Sequence, residues 1–232
     1  MNTNVSESNV IVDEAIVQPN IKEKVEVRKV LYKVVKRLID ILGGLVGCVL
    51  LVPITVAVYI ARKVLKEDDG PMFYEQLRIG KNGKIIKLYK FRSMVINAEE
   101  LIKSFTPEQM KEYKENYKLT NDPRITKVGK FLRKTSLDEL PQLINIINGD
   151  LSIIGPRPVI ADELEKYGTN KDKFLSVTPG LTGYWAANGR SNTTYEQRME
   201  MELYYIDNLS LKMDIKVFFK TILSVLKKEG AR

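Results

Sequence analysis

The chain has 232 residues, enough for one domain with a real core or for one domain plus an anchor. Its formal net charge of +8 predicts an anionic partner, whether nucleic acid, anionic lipid or a phosphorylated substrate. The single cysteine, Cys48, excludes an intrachain disulfide and a cysteine-based zinc cage, and the absence of histidine excludes Ser-His-Asp and Cys-His nucleophile systems and histidine-ligated metals. An enzyme built from this alphabet works with carboxylates, lysines, arginines and an oxygen-liganded cation.

Residues 1–21 show no helical period and no basic region leading to a small-residue cleavage site, so they read as a disordered tail rather than a signal peptide. A basic helix is predicted from about Lys22 to Arg37. Residues 41–61 then carry no charge, and Arg62, Lys63 and Lys66 follow them. That length suits a bilayer span better than a buried core helix. Pro53, near the middle, removes a hydrogen bond and bends a helix, while cationic flanks on both sides leave the positive-inside rule nothing to act on. A simple span and a re-entrant hairpin turning at Pro53 both remain open.

After the charged run from Lys66 to Asp69, residues 72–79 and 85–91 read as strands around Gly80-Lys81-Asn82-Gly83, a β-hairpin turn. Residues 97–118 are polar and helical, with Thr106-Pro107-Glu108 as a helix start. Residues 129–149 read as helix interrupted near Pro141, and residues 151–154 lead into the rigid turn Gly155-Pro156-Arg157-Pro158. An apolar loop holding Trp185 lies between Pro179-Gly180 and Asn188-Gly189-Arg190. From about Tyr195 helix dominates. Its last stretch sets Val217, Phe218, Phe219, Ile222 and Leu223 against Lys212, Lys216 and Lys220, which suits core packing or a helix lying in a lipid interface.

Asp138 and Glu139 are the first candidates for chemistry, because Leu137, Leu140, Leu143 and Ile144 flank them. A carboxylate held among apolar residues needs a cation or hydrogen-bond partner. It can ligate Mg²⁺ together with substrate phosphates, or attack phosphorus to give an acyl phosphate. Arg157, fixed between two prolines, presents a planar fork that suits a phosphate, although a structural turn with a surface arginine reads equally well. Lys90 and Arg92 fall on one side of a strand, and Arg133 and Arg190 add charge from other segments; Gly189 before Arg190 permits close approach to a ligand. Together these cations suit a diphosphate. P-loop, dinucleotide and zinc signatures are missing.

Taken in order, these segments resemble the bacterial sugar transferases, the monotopic polyprenyl-phosphate phosphoglycosyl transferases. The matching pieces are Lys36-Arg37-Leu38-Ile39-Asp40, the Pro53 break, Tyr89 through Met94, Asp122 through Gly129, Arg133 through Gln142, Gly149 through Pro158, Pro179 through Gly183 and Asn188-Gly189-Arg190, with Leu209-Ser210-Leu211 and Asp214 beyond. The resemblance covers roughly residues 33–231. Val52 stands where the family often has serine before the break, Tyr184 to Ala187 depart from the common pattern, and Glu202 replaces a frequent aspartate.

The resemblance implies an α+β, predominantly helical chain. Residues 1–21 would be a tail, 22–66 a basic helix and re-entrant helix-break-helix hairpin, and 67–232 a cytoplasmic catalytic domain with a small β-hairpin and interfacial amphipathic helices. It also implies transfer of a sugar 1-phosphate from a UDP-sugar to undecaprenyl phosphate with release of UMP, on the cytoplasmic face of a bacterial membrane, with no nucleic-acid partner. Asp138 would be the nucleophile, Glu139 its partner, both beside Mg²⁺, and Lys90, Arg133, Arg157 and Arg190 substrate ligands. The length predicts a catalytic core without a further membrane domain. A membrane-tethered basic module binding nucleic acid or anionic lipid, and an aspartate-nucleophile phosphatase, are the competing expectations. Oligomeric state and the identity of the sugar leave no signature.

Overall fold

The computed structural model describes residues 7–67, 69–116, 119–189 and 192–227, with side chains from Val27 onward except at 114–116, 225 and 226. The protein is mostly helical, with two small two-stranded sheets. Contacts divide the chain into two units, residues 1–39 and 40–232.

Helix α1 (Glu7–Val64) belongs to both units. It is helical from Glu7, inside the stretch expected as a tail, because extending an existing helix gains one hydrogen bond per residue fixed. It also continues through Pro53 without a non-helical residue, where a break was expected. Thr55 donates its hydroxyl to the Leu51 carbonyl at 2.9 Å, a back-bond of the kind that tends to bend a helix.

From Asp40 to Arg62, within the second unit, α1 buries one stripe against the rest of that unit. Asp40, Leu51, Val58 and Arg62 are buried at helical spacing. Glycines let the backbone come close: a Cβ on Gly43 would stand 2.6 Å from Ile153 and one on Gly47 2.8 Å from Leu143. Asp40 accepts from the Ser152 hydroxyl at 3.0 Å and the Ile153 N–H at 2.8 Å, and Arg62 donates to the Gly70 carbonyl at 3.0 Å. The apolar residues Leu42, Val46, Val49, Leu50, Val56, Tyr59 and Ile60 face outward. The helix therefore turns its polar groups inward and its hydrocarbon outward, the reverse of a helix on a water-soluble domain.

The hairpin forms as expected. Strands β1 (Phe73–Ile79) and β2 (Ile85–Phe91) pair antiparallel, with Tyr74 opposite Lys90 and Ile79 opposite Ile85. Asn82 at φ 55° and Gly83 at φ 77° make the turn. Helix α2 (Pro107–Asn116) starts with a reciprocal cap between Thr106 and Gln109.

Helix α3 (Lys127–Thr135) ends at Ser136, which adopts the left-handed conformation at φ 57°. A 3₁₀ turn over Leu137–Gln142 and helix α4 (Leu143–Asn148) follow. The interruption expected at Pro141 thus falls five residues earlier, and Pro141 sits inside the 3₁₀ turn. Strands β3 (Ser152–Ile154) and β4 (Gly180–Thr182) pair in parallel, with α5 (Ala161–Glu165) and α6 (Lys171–Leu175) between them. Helix α7 (Tyr184–Asn188) replaces the expected apolar loop.

The chain finishes with α8 (Tyr195–Asp207) and α9 (Leu211–Leu226). On α9, Asp214, Val217 and Ser224 are buried, whereas Ile215, Phe218, Phe219, Ile222 and Leu223 are exposed. Its broad apolar face points away from the core. Of the face read from the sequence, Val217 packs in the core, while Phe218, Phe219, Ile222 and Leu223 stay exposed.

Candidate active site

The site is assembled by three local devices. The left-handed Ser136 reverses the chain after α3, so Asp138 and Glu139 occupy the first turn of the 3₁₀ segment. Leu137 and Leu140, on either side of the pair, pack on the cluster formed by Leu51 and Val58 of α1 with Phe91, Val128 and Leu132. Asn145 of α4, 1% exposed, accepts from the Tyr89 N–H at 3.1 Å and donates to the Lys87 carbonyl at 2.7 Å. That clip occupies the free edge of β2 and turns Lys90 towards the acidic pair.

Lys90 Nζ lies 2.9 Å from Glu139 Oε1, and Arg157 Nη1 lies 3.9 Å from the same oxygen. Glu139 is thus held by two cations. Among the described residues no cation lies within ion-pair distance of the Asp138 carboxyl. Burial first, then the charge of Glu139, pushes the Asp138 carboxyl above the usual aspartate value, against the pull of Lys90 and Arg133. A desolvated carboxylate beside a like charge fits a cation completed by substrate phosphates, the way Mg²⁺ is usually held. Among the described residues no group of three or more metal-ligating side chains exists.

Arg133 hydrogen-bonds through Nε to Ser93 Oγ at 2.9 Å and reaches Asp138 only through its field. Gly129 sits against the Ser93 carbonyl so closely that a side chain there would displace it. Arg157 is set by its backbone as well as its prolines, since its N–H donates to Glu202 Oε1 at 3.0 Å. Glu202 is 1% exposed, and burial pushes its carboxyl to about 7 although the Arg157 N–H and the Arg198 charge pull the other way. Its second oxygen, Tyr167 Oη and Arg198 Nε and Nη2 are buried with no hydrogen-bond partner among the described residues.

Residues 31–228 match the profile of the family described as bacterial sugar transferase. The chain belongs to the bacterial sugar transferase family. It is 43% identical over 199 residues to the undecaprenyl-phosphate galactose phosphotransferase of Salmonella typhimurium, covering 84% of this chain and 41% of that one. Against the exopolysaccharide production protein ExoY of Rhizobium meliloti the identity is 42% over 199 residues, covering 84% and 87%. Against the UDP-glucose:undecaprenyl-phosphate glucose-1-phosphate transferase of Escherichia coli K12 it is 36% over 198 residues, covering 82% and 40%. The chain therefore spans well under half the length of the Salmonella and Escherichia coli relatives.

Within this family frame, the expected residues divide. Lys90, Asp138, Glu139 and Arg157 come together, and Arg133 stands behind Asp138. Arg92 leaves the group: its Nε donates to the Pro71 carbonyl at 2.9 Å and clasps the hairpin base. Arg124 pairs with Asp122 at 2.6 Å between the rings of Phe105 and Tyr113, a structural cage. Arg190 lies outside the described residues. One cation escaped the sequence reading. Arg78 lines the same pocket as Lys90, Glu139 and Arg157. Its signal was available in the alternation of β1, which puts Arg78, like Tyr74 opposite Lys90, on the inner face of the hairpin.

Proposed function

We propose that the protein is a phosphoglycosyl transferase that passes a sugar 1-phosphate from a UDP-sugar to undecaprenyl phosphate and releases UMP, a first membrane step of polysaccharide or glycoconjugate synthesis. The observation that carries this reading is the Asp138–Glu139 pair, desolvated on one turn and faced by Lys90, Arg157 and Arg133. The names of the Salmonella and Escherichia coli relatives support the lipid phosphate as acceptor, and the latter's name supports a UDP-sugar as donor.

In this reading Asp138 attacks the sugar-bearing phosphorus. The Asp138 oxygen–phosphorus bond forms, the bond to the bridging oxygen breaks, and UMP leaves with that oxygen. A phosphate oxygen of the lipid then attacks the same phosphorus, and the bond to Asp138 breaks. Lys90 holds Glu139 so that one carboxylate of the pair is compensated while the other keeps its lone pairs for attack. Arg157 and Arg133 offset charge on the phosphates, where positioning and electrostatics supply most of the catalysis. Mg²⁺, held by Asp138 and Glu139, would neutralise phosphate charge.

The membrane disposition follows the same reading. Asp40 and Arg62 are ~33 Å apart along a straight helix, about the thickness of the hydrocarbon core. Both ends of this segment, and the stripe between them, pack on the rest of the second unit. A helix crossing the bilayer would carry one end away from a domain that stays on one side, so this packing supports a segment that enters one leaflet and keeps both ends on the cytoplasmic face, with α1 unbroken at Pro53. The outward apolar faces of α1 and α9 would lie in lipid, with the α9 lysines at headgroup level. Because Leu137 and Leu140 pack on α1, the acidic pair would sit at the membrane surface, where a lipid phosphate arrives.

The test is a panel of UDP-sugars scored by UMP release. Without lipid acceptor, one sugar should give about one UMP per enzyme and a covalent adduct on Asp138. Release of inorganic phosphate, or no UMP from any UDP-sugar, would overturn the reading.

A further inference from the structure

Arg78 is a half-buried guanidinium that nothing in the scheme above uses. It comes from β1, on the inner face of the hairpin together with Lys90, and lines the pocket with Glu139 and Arg157. Among the described residues it has no hydrogen-bond or ion-pair partner. The carboxylate whose field reaches it, Glu163, is engaged by Arg198 at 3.1 Å. The Ile79 N–H donates to the Val159 carbonyl at 2.8 Å, which ties the end of β1 to the segment carrying Arg157. Burial and the nearby charge of Arg157 pull the Arg78 guanidinium below the usual arginine value. Two guanidinium groups thus face one pocket, and Arg157 has only a 3.9 Å contact with a carboxylate that Lys90 already holds. Such a pair is repulsive until an anion lies between its members.

We infer that Arg78 is a substrate-binding residue that forms, with Arg157, a two-guanidinium clamp for the phosphate on the far side of the bond being made or broken. Resting on the proposed function, this is the nucleotide phosphate that leaves in the first transfer and the lipid phosphate that arrives in the second. In-line displacement puts leaving and entering groups opposite Asp138, so both use one subsite. Planar forks suit either phosphate because both are terminal monoesters when free.

Inorganic pyrophosphate binding to the full chain in lipid nanodiscs tests the clamp apart from catalysis. Arg78→Ala should weaken pyrophosphate about tenfold to a hundredfold, the loss of a charge-assisted contact, and free guanidinium should restore part of it. Lys84→Ala, in an exposed pair that the scheme does not use, should bind pyrophosphate undiminished. In turnover, Arg78→Ala should raise the KM for UDP-sugar and for lipid phosphate together, whereas a residue serving the nucleotide alone would move only the first. Wild-type UMP release with unaltered Arg78→Ala binding and turnover would overturn the clamp and leave the proposed function standing. Loss of pyrophosphate binding in Arg78→Ala, with no UMP from any UDP-sugar in the wild type, would do the reverse. Should Arg78→Ala lose its cooperative melt, Arg78→Lys carries the test: it keeps the charge without the fork, and affinity equal to the wild type would overturn the clamp.

Discussion

Two carboxylate regions of this protein look alike in one respect and differ in every other. Asp138, at the front, and Glu202, behind the Pro-Arg-Pro turn, are both pushed above their usual values by burial. Asp138 keeps partial exposure and stands beside Glu139, which lines a pocket with Arg78, Lys90 and Arg157. Glu202 is 1% exposed and spends one oxygen on the Arg157 N–H. Desolvation alone therefore does not mark a reacting group. Access to a ligand does, and by that measure Glu202 positions Arg157 while Asp138 is placed to react.

The sharpest way to break the comparison is to remove one oxygen at each place. Asp138→Asn should lower UMP release by at least ~10³-fold and form no adduct, with the melting temperature unchanged or raised. An undiminished rate would remove the front site from the chemistry. Glu202→Gln keeps an acceptor for the Arg157 N–H and removes only the charge, so its effect should appear in stability instead.

The sign follows from proton uptake. The Glu202 carboxyl ionises near 4.5 in the unfolded chain and at about 7 when folded, so the folded state binds more protons between those values. Wild-type stability should therefore fall as pH rises from about 4.5 to about 7 and level off above, by ~3 kcal/mol in all. In Glu202→Gln that slope should flatten, which denaturant titrations at pH 5 and pH 8 would read. A slope equal to the wild type's would mean that Glu202 stays charged or neutral throughout, and that its two oxygens are compensated.

Lys90→Met probes the front site more gently. It removes the cation that holds Glu139 and one of those pulling Asp138 back towards its usual value. The rate at neutral pH should drop about tenfold to a hundredfold. Since Asp138 must be ionised to attack, the acid limb of the rate profile should move to higher pH. A lower rate with an unmoved limb would assign Lys90 to substrate binding alone.

How much of this was legible depends on range. The hairpin could be read within two residues because Asn82-Gly83 needs positive φ and the flanking strands alternate. The acidic pair and Pro-Arg-Pro stood out for similarly local reasons. The long-range devices had no local signal. Nothing near Asn145 says that it clips β2, and nothing near Glu202 says that its partner is 45 residues away. Arg78 could have been found by strand alternation, but facing a site depends on which side of the hairpin the rest of the chain covers. The burial of Asp40 on α1 likewise depends on Ser152 and Ile153, partners 112 and 113 residues away.

The smallest effect should come from a second lysine with the same bond length. Lys84 Nζ lies 2.9 Å from Asp150 Oδ1, as Lys90 does from Glu139, but the Lys84 side chain is 71% exposed against 17% for Lys90. In water the Coulomb gain is screened and offset by the entropy of ordering a long side chain, so Lys84→Ala should change stability by less than about 0.5 kcal/mol and leave turnover alone. If Lys84→Ala instead slowed UMP release as much as Lys90→Met, burial beside Asp138 would not be what distinguishes the two pairs. Raising the salt concentration separates the cases: an exposed pair should lose what little it contributes, while the Lys90–Glu139 pair, shielded by the hairpin and the 3₁₀ turn, should keep its effect on the acid limb.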